Sequence, residues 1–130
     1  MNCIGRFEHA AIFCRDLAAQ VAWYNDVFNG TVVLAHEGEN AFVKIAGGIL
    51  LELIQTAPGN VVALQPANAN GLRHLAFTVD DLERAKAHLA QKNVPLTGGW
   101  ENKADRCATV FFEDPEGNLL QFMYREVPLL

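Results

Sequence analysis

Two histidines stand in matching apolar runs of this chain, and any chemistry starts with them. Phe7-Glu8-His9-Ala10-Ala11-Ile12-Phe13-Cys14-Arg15-Asp16-Leu17 aligns without a gap on Leu72-Arg73-His74-Leu75-Ala76-Phe77-Thr78-Val79-Asp80-Asp81-Leu82. His9 and His74 are 65 residues apart, half of a chain of 130. A second pair keeps nearly the same spacing. Gly48-Ile49-Leu50-Leu51-Glu52-Leu53 aligns on Gly117-Asn118-Leu119-Leu120-Gln121-Phe122. Glu52 and Gln121 therefore occupy equivalent places inside apolar strands. One strand histidine is most often a satisfied part of a core. Two at equivalent places in two repeats point to a shared site.

Glu52 sharpens that expectation. A carboxylate on the inner face of an apolar strand loses several kcal/mol of solvation unless it is compensated (about 2–7 for a polar group, more for a charge). The equivalent strands offer no obvious Arg or Lys. A divalent cation held by two imidazoles would compensate it, because His nitrogen and Glu oxygen suit zinc, nickel, iron or manganese. Gln121 could add a carbonyl oxygen.

The remaining reactive side chains read as ordinary. His88 belongs to a helix and His36 to a strand end beside Glu37 and Glu39, where surface positions are expected. Cys3, Cys14 and Cys107 are odd in number, widely spaced and without a C-x-x-C, so neither a disulfide scaffold nor a thiolate zinc site is expected. Trp23 and Tyr24 read as helix core. Trp100 follows Gly98-Gly99 in what reads as a loop, and with Arg106 it is a candidate for the rim of a substrate cavity.

The elements that must position these residues come in two matching sets. Residues 6–13 read as a strand. Asp16 is a good N-cap for a helix to about residue 29, with Gly30 as its stop. Strands follow at 31–35, 41–46 and 49–55, with a turn at Gly47-Gly48. The second set has a strand at 72–79, a capping box at Asp80-Asp81-Leu82-Glu83, and a helix to about Lys92. A short strand at 94–96 and a better one at 107–112 follow. A tight turn at Asp114-Pro115-Glu116-Gly117 then leads into the last strand, 118–124. The fold class expected is α+β, with two βαβββ modules at about 5–56 and 71–126 and a Pro/Gly/Asn-rich linker at 57–70. The strands carrying the histidines are apolar on both faces, as if one face packs on a helix and the other lines a mostly dry cavity.

Composition narrows the classes. A net charge of −5 gives no electrostatic reason for nucleic-acid or anionic-membrane binding. Residues 1–6 lack the apolar core of a signal peptide, and no run approaches the roughly 20 apolar residues that span a bilayer. A cytoplasmic location is expected.

His9, Glu52, His74 and Gln121 on this doubled pattern, with Phe112-Glu113-Asp114-Pro115-Glu116-Gly117-Asn118 before the last strand, resemble the vicinal oxygen chelate superfamily. That group includes glyoxalase I, extradiol dioxygenases, and fosfomycin- and bleomycin-resistance proteins. The resemblance implies a glyoxalase-like half-open curled barrel, a homodimer, and a metal held by His9, Glu52, His74 and Gln121. It implies zinc or nickel first, with iron, cobalt or manganese also suited. Most metal-binding members have Glu where this chain has Gln121. The closest pattern is a glyoxalase I-like lyase. Its small substrate, such as a 2-oxoaldehyde thiohemiacetal, would react through an enediolate with Glu52 as the base. Two other readings come from the same family. One is a drug-binding protein of the bleomycin-resistance type, which need not hold a metal. The other is an iron dioxygenase, in which the last-strand ligand is typically Glu. No dedicated glutathione-binding Arg is recognisable in the first module.

Overall fold

The structure, a computed structural model, describes residues 3–59 and 69–130. Most of the expected linker, 57–70, lies outside them. The chain divides into two compact units, Met1–Val61 and Val62–Leu130.

The first unit runs β1 (His9–Cys14), α1 (Leu17–Val27), β2 (Thr31–His36), β3 (Asn40–Ile45) and β4 (Ile49–Gln55). Its sheet has the order β1-β4-β3-β2, with β1 parallel to β4 and the other pairs antiparallel. A parallel pair needs a long crossover, which α1 and the β2–β3 hairpin supply. Asp16 caps α1, its carboxylate accepting from the Ala19 N–H at 3.0 Å. Gln55 supplies a second acceptor, for the Leu17 N–H at 2.9 Å. Helix starts leave such N–H groups without intrahelical partners, so both bonds fix where α1 begins. Tyr24 and Val27 of α1 are buried, as are Val43, Leu51 and Leu53 of the sheet. Alternation along β4 then turns Glu52 to the opposite face.

The second unit repeats the order with β5 (Leu75–Thr78), α2 (Leu82–Gln91), β6 (Leu96–Asn102), β7 (Cys107–Glu113) and β8 (Leu119–Arg125). Its sheet order is β5-β8-β7-β6, with the same parallel and antiparallel pattern. Asp81 caps α2 through the Arg84 N–H at 3.0 Å. Glu83 falls one position too early to return the bond of a full capping box. The fold is α+β, as expected from the repeat.

The two sheets agree down to an irregularity. Each outer hairpin slips register once, between Val32 and Leu34 in β2 and between Leu96 and Gly98 in β6. Beyond the slip, Leu34 opposes Phe42 as Gly98 opposes Phe111, and His36 opposes Asn40 as Trp100 opposes Thr109.

Three local expectations need correction. Helix α1 is stopped by Asn29, whose φ is +53°, and not by Gly30. Asn tolerates this left-handed conformation. Gly30 serves another end, because a Cβ there would lie 2.9 Å from Val43 Cγ1. Strand β5 is shorter than 72–79, so His74 stands just ahead of it. The short strand expected at 94–96 is the seven-residue β6, which includes Gly98, Gly99 and Trp100. Gly99 is required there: a Cβ would meet Thr109 O at 2.7 Å.

Candidate functional site

In the first unit a polar row crosses all four strands on the face opposite α1. Glu52 on β4 opposes Ala11 of β1 on one side and Phe42 of β3 on the other. Residues two apart share a face, so His9 on β1 and Asn40 on β3 are its diagonal neighbours. His36 on β2 then opposes Asn40. The side chains connect along this row. Glu8 Oε1 lies 2.9 Å from His9 Nδ1. His9 Nε2 lies 3.2 Å from Glu52 Oε2. Asn40 Nδ2 donates to Glu52 Oε1 at 3.2 Å, and Asn40 Oδ1 lies 2.8 Å from His36 Nδ1. The His9 ring also meets Phe42 edge-on at 5.4 Å.

Glu52 is thus compensated within its own unit. Its side chain is 19% exposed and both oxygens have partners, one from His9 and one from Asn40. The face around His9 is not dry: Phe7 and Phe13 are 76% and 72% exposed.

The second unit places His74, Gln121, Thr109 and Trp100 in the same four positions. Gln121 on β8 opposes Ala76 of β5 and Phe111 of β7, as Glu52 opposes Ala11 and Phe42. His74 meets Phe111 edge-on at 5.5 Å, repeating the His9–Phe42 contact. Gln121 is buried, at 4% exposure. Thr109 turns its hydroxyl to the Phe122 carbonyl at 2.7 Å. At the position matching Glu8 stands Arg73, whose guanidinium can only donate. His74 Nδ1 is buried with no hydrogen-bond partner among the described residues.

The donors suit a divalent cation in type and, in the first unit, in spacing. Two ligand atoms each about 2.1 Å from one ion lie roughly 3.0–3.4 Å apart, for bond angles from about 90° to about 110°. His9 Nε2 and Glu52 Oε2 meet that separation. The His9 ring faces a carboxylate at each nitrogen, and each nitrogen donates only if it carries a proton. A cation at Nε2 would take the place of one proton, while Glu8 fixes the ring from Nδ1 as outer partners of metal-binding histidines do. His74 Nδ1, the nitrogen that corresponds to the one Glu8 meets on His9, has no hydrogen-bond partner among the described residues. The structure brings His9 and Glu52 together and sets His74 and Gln121 at their equivalents. Among the described residues, no three His, Cys, Asp or Glu side chains group closely enough to hold an ion.

Of the two rim candidates, Trp100 departs from the loop expected for it. Trp100 is part of β6 and 47% exposed. Arg106 occupies the β6–β7 turn with φ +51°, and its guanidinium donates to Glu126 Oε1 at 3.0 Å. Reading the sequence missed Glu8, Asn40 and His36. Glu8 was discoverable from its place beside His9. The other two depend on register across the slipped hairpin.

Comparison with known proteins identifies the family. The Glyoxalase/Bleomycin resistance protein/Dioxygenase superfamily matches residues 6–122, and the chain belongs to it. The chain is 32% identical over 115 residues to "Uncharacterized protein YaeR" of Escherichia coli K12, covering 85% of this chain and 88% of that one. Among solved structures, lactoylglutathione lyase from Agrobacterium tumefaciens is 24% identical, with a TM-score of 0.71 over 95% of this chain and 96% of that one. A variant of the fosfomycin resistance protein FosX from Listeria monocytogenes, solved with Mn(II) and a dihydroxypropylphosphonic acid, is 16% identical. Its TM-score is 0.76 over 97% of this chain and 93% of that one. At these identities the likeness of the solved structures establishes the glyoxalase-like fold. No helix among the described residues is long and apolar enough to cross a membrane.

Proposed function

We propose that this protein is a divalent-metal-dependent glyoxalase-like enzyme for a small substrate with two adjacent oxygens. The observation that carries the reading is the His9 Nε2–Glu52 Oε2 separation of 3.2 Å, the spacing of two neighbouring ligands of one ion. His9, Glu52, His74 and Gln121 would hold the ion. When bound, the ion would supply Lewis-acid polarisation of the chelating substrate oxygens. Zinc and nickel suit the nitrogen and oxygen donors best, with iron, cobalt and manganese also accommodated.

The chain's own groups divide the remaining work. Glu8 holds the His9 ring through Nδ1. Asn40 holds Glu52 by Oε1, which leaves Oε2 as the oxygen for a ligand or a proton. Glu52 is the candidate base for a proton beside a carbonyl, since a base must lie within hydrogen-bond reach of what it abstracts. Neutral Gln121 leaves one carboxylate among the four donors, and so a net charge near +1 with a divalent ion. That charge suits an anionic intermediate such as an enediolate. We extend the reading to a cytoplasmic homodimer.

Purified protein given methylglyoxal and glutathione, with zinc, nickel, cobalt and manganese in turn, tests the reading. Turnover with at least one metal, abolished in Glu52→Gln, is expected. No turnover with any of them would exclude the lactoylglutathione type of reaction.

A further inference from the structure

The row of side chains on the first sheet does not end at Glu52, and its outer members fix a direction. A carboxylate only accepts hydrogen bonds, so the group of Asn40 that faces Glu52 Oε1 is its NH2. The amide oxygen must then point the other way, to His36 Nδ1 at 2.8 Å. That oxygen also only accepts, so His36 must carry its proton on Nδ1. Each identity follows from the one before it, and the order runs from an exposed edge-strand histidine to the partly buried carboxylate.

We propose that His36 is a positioning residue for Glu52, acting through Asn40. His36 and Asn40 face each other across the β2–β3 hairpin, and Asn40 lies diagonal to Glu52 across β3–β4. The hairpin slip between Val32 and Leu34 sets this pairing. With the amide pinned from behind by His36, its NH2 stays on Oε1 and the Glu52 carboxylate keeps one rotation. Oε2 then points at His9. Without His36 the amide is free to turn, and Glu52 loses the donor that selects which oxygen is presented. The second unit supplies the contrast. Trp100 and Thr109 occupy the places of His36 and Asn40, and the Thr109 hydroxyl is engaged by the Phe122 carbonyl. A neutral Gln at position 121 has no charged oxygen for such a row to orient.

The functional consequence rests on the metal-dependent reading above, but the positioning itself does not. The test therefore has two arms, on wild type, His36→Leu and His36→Asn. Asn can place its NH2 near the position of Nδ1 and act as the conservative rescue. His36 lies on an edge strand in an exposed position, so both variants are expected to fold, which circular dichroism checks.

The first arm uses metal-free protein and nitrogen and carbon NMR. The expected results are a His36 ring protonated on Nδ1, a Glu52 side-chain carboxyl resonance that moves in His36→Leu, and its return in His36→Asn. A His36 ring protonated only on Nε2, or a Glu52 resonance indifferent to His36→Leu, overturns the proposal. The second arm titrates cobalt(II) and follows its visible absorption. His36→Leu should weaken binding roughly 10-fold, the lower end of what losing an outer partner of a metal ligand costs, and His36→Asn should recover it. If wild type binds no cobalt, the metal reading fails, while the Glu52 resonance still decides whether His36 positions it.

Discussion

The two units share a backbone frame and differ in what they do with it. The sheet order, the parallel pairing, the hairpin slip and the ring beneath each histidine all recur. The side chains in the four equivalent places do not. The first row is charged, partly exposed and joined from Glu8 to His36. The second row buries its amide, and His74 Nδ1 has no hydrogen-bond partner among the described residues. A repeated frame fixes where side chains stand. It leaves open whether a position presents a ligand, a donor or packing. The first unit therefore carries a carboxylate, Glu52, where the second carries an amide, Gln121.

The turns into the last strands show the same divergence, and they allow the largest perturbation. Chain entry into β8 is tied by Asp114, which is buried at 5% exposure. Its carboxylate accepts from the Glu116 N–H at 3.0 Å, the Asn118 N–H at 2.9 Å and Asn118 Nδ2 at 2.8 Å. Entry into β4 uses Gly47 and Gly48 with φ near +80°, and the short helical turn there has no side-chain cap among the described residues. Asp114→Ala should cost about 3–5 kcal/mol, because charged hydrogen bonds contribute about 1.5–3 each and the buried donors lose their acceptor. Urea denaturation would measure it. A loss below about 1 kcal/mol would mean that the Asp-Pro-Glu-Gly-Asn segment is held by something other than this carboxylate.

That segment was legible in the sequence, as were the doubled βαβββ order and the candidacy of His9 and Glu52 as site residues. These depend on contiguous signals: alternation, a capping Asp, a turn with Pro and Gly. Asn40 and His36 were hidden because their roles arise from cross-strand register. The register depends on a one-residue slip that no local residue type announces. The repeat could not expose them either, since their equivalents are Thr109 and Trp100. Strand β6 was shortened for a related reason. Gly98-Gly99 reads as a break, whereas Gly99 lies inside the strand because no Cβ fits against the Thr109 carbonyl. A glycine demanded by close approach and one demanded by a turn look the same in sequence.

Making the second row resemble the first is a smaller change with a sharper signature. Gln121→Glu places a carboxylate where the side chain is 4% exposed. Without a cation its destabilisation at pH 7 should be about 2–4 kcal/mol, since burial disfavours the charged form. Burial raises the folded-state pKa of the new carboxyl above its unfolded value near 4.3. The variant should then match wild type most closely below about pH 4 and fall behind as pH rises through the folded-state value. Zinc or nickel should narrow the gap at pH 7 if position 121 faces a bound ion. Thermal unfolding at several pH values, with and without metal, would read both effects. A deficit indifferent to metal would remove position 121 from the proposed ligand set and leave the carboxylate of the first row as the only anionic donor.

Gly47→Ala probes the other turn and should have the smallest effect. Its φ is +83°, a region that costs an L side chain about 1–2 kcal/mol. Nothing lies within 4 Å of the added Cβ, so no clash adds to that cost. A loss of about 1 kcal/mol is therefore expected, with Gly47→Asn costing less because Asn tolerates the left-handed region. Equal losses for Ala and Asn would show that the position requires more than its backbone angle. If the difference has the expected sign, the backbone angle at Gly47 governs the turn into β4. The turn into β8 is held by a buried carboxylate. The strand that presents Glu52 would then begin at the less constrained of the two turns, and its carboxylate would take its orientation from Asn40 and His36 beside it, not from the chain that leads to it.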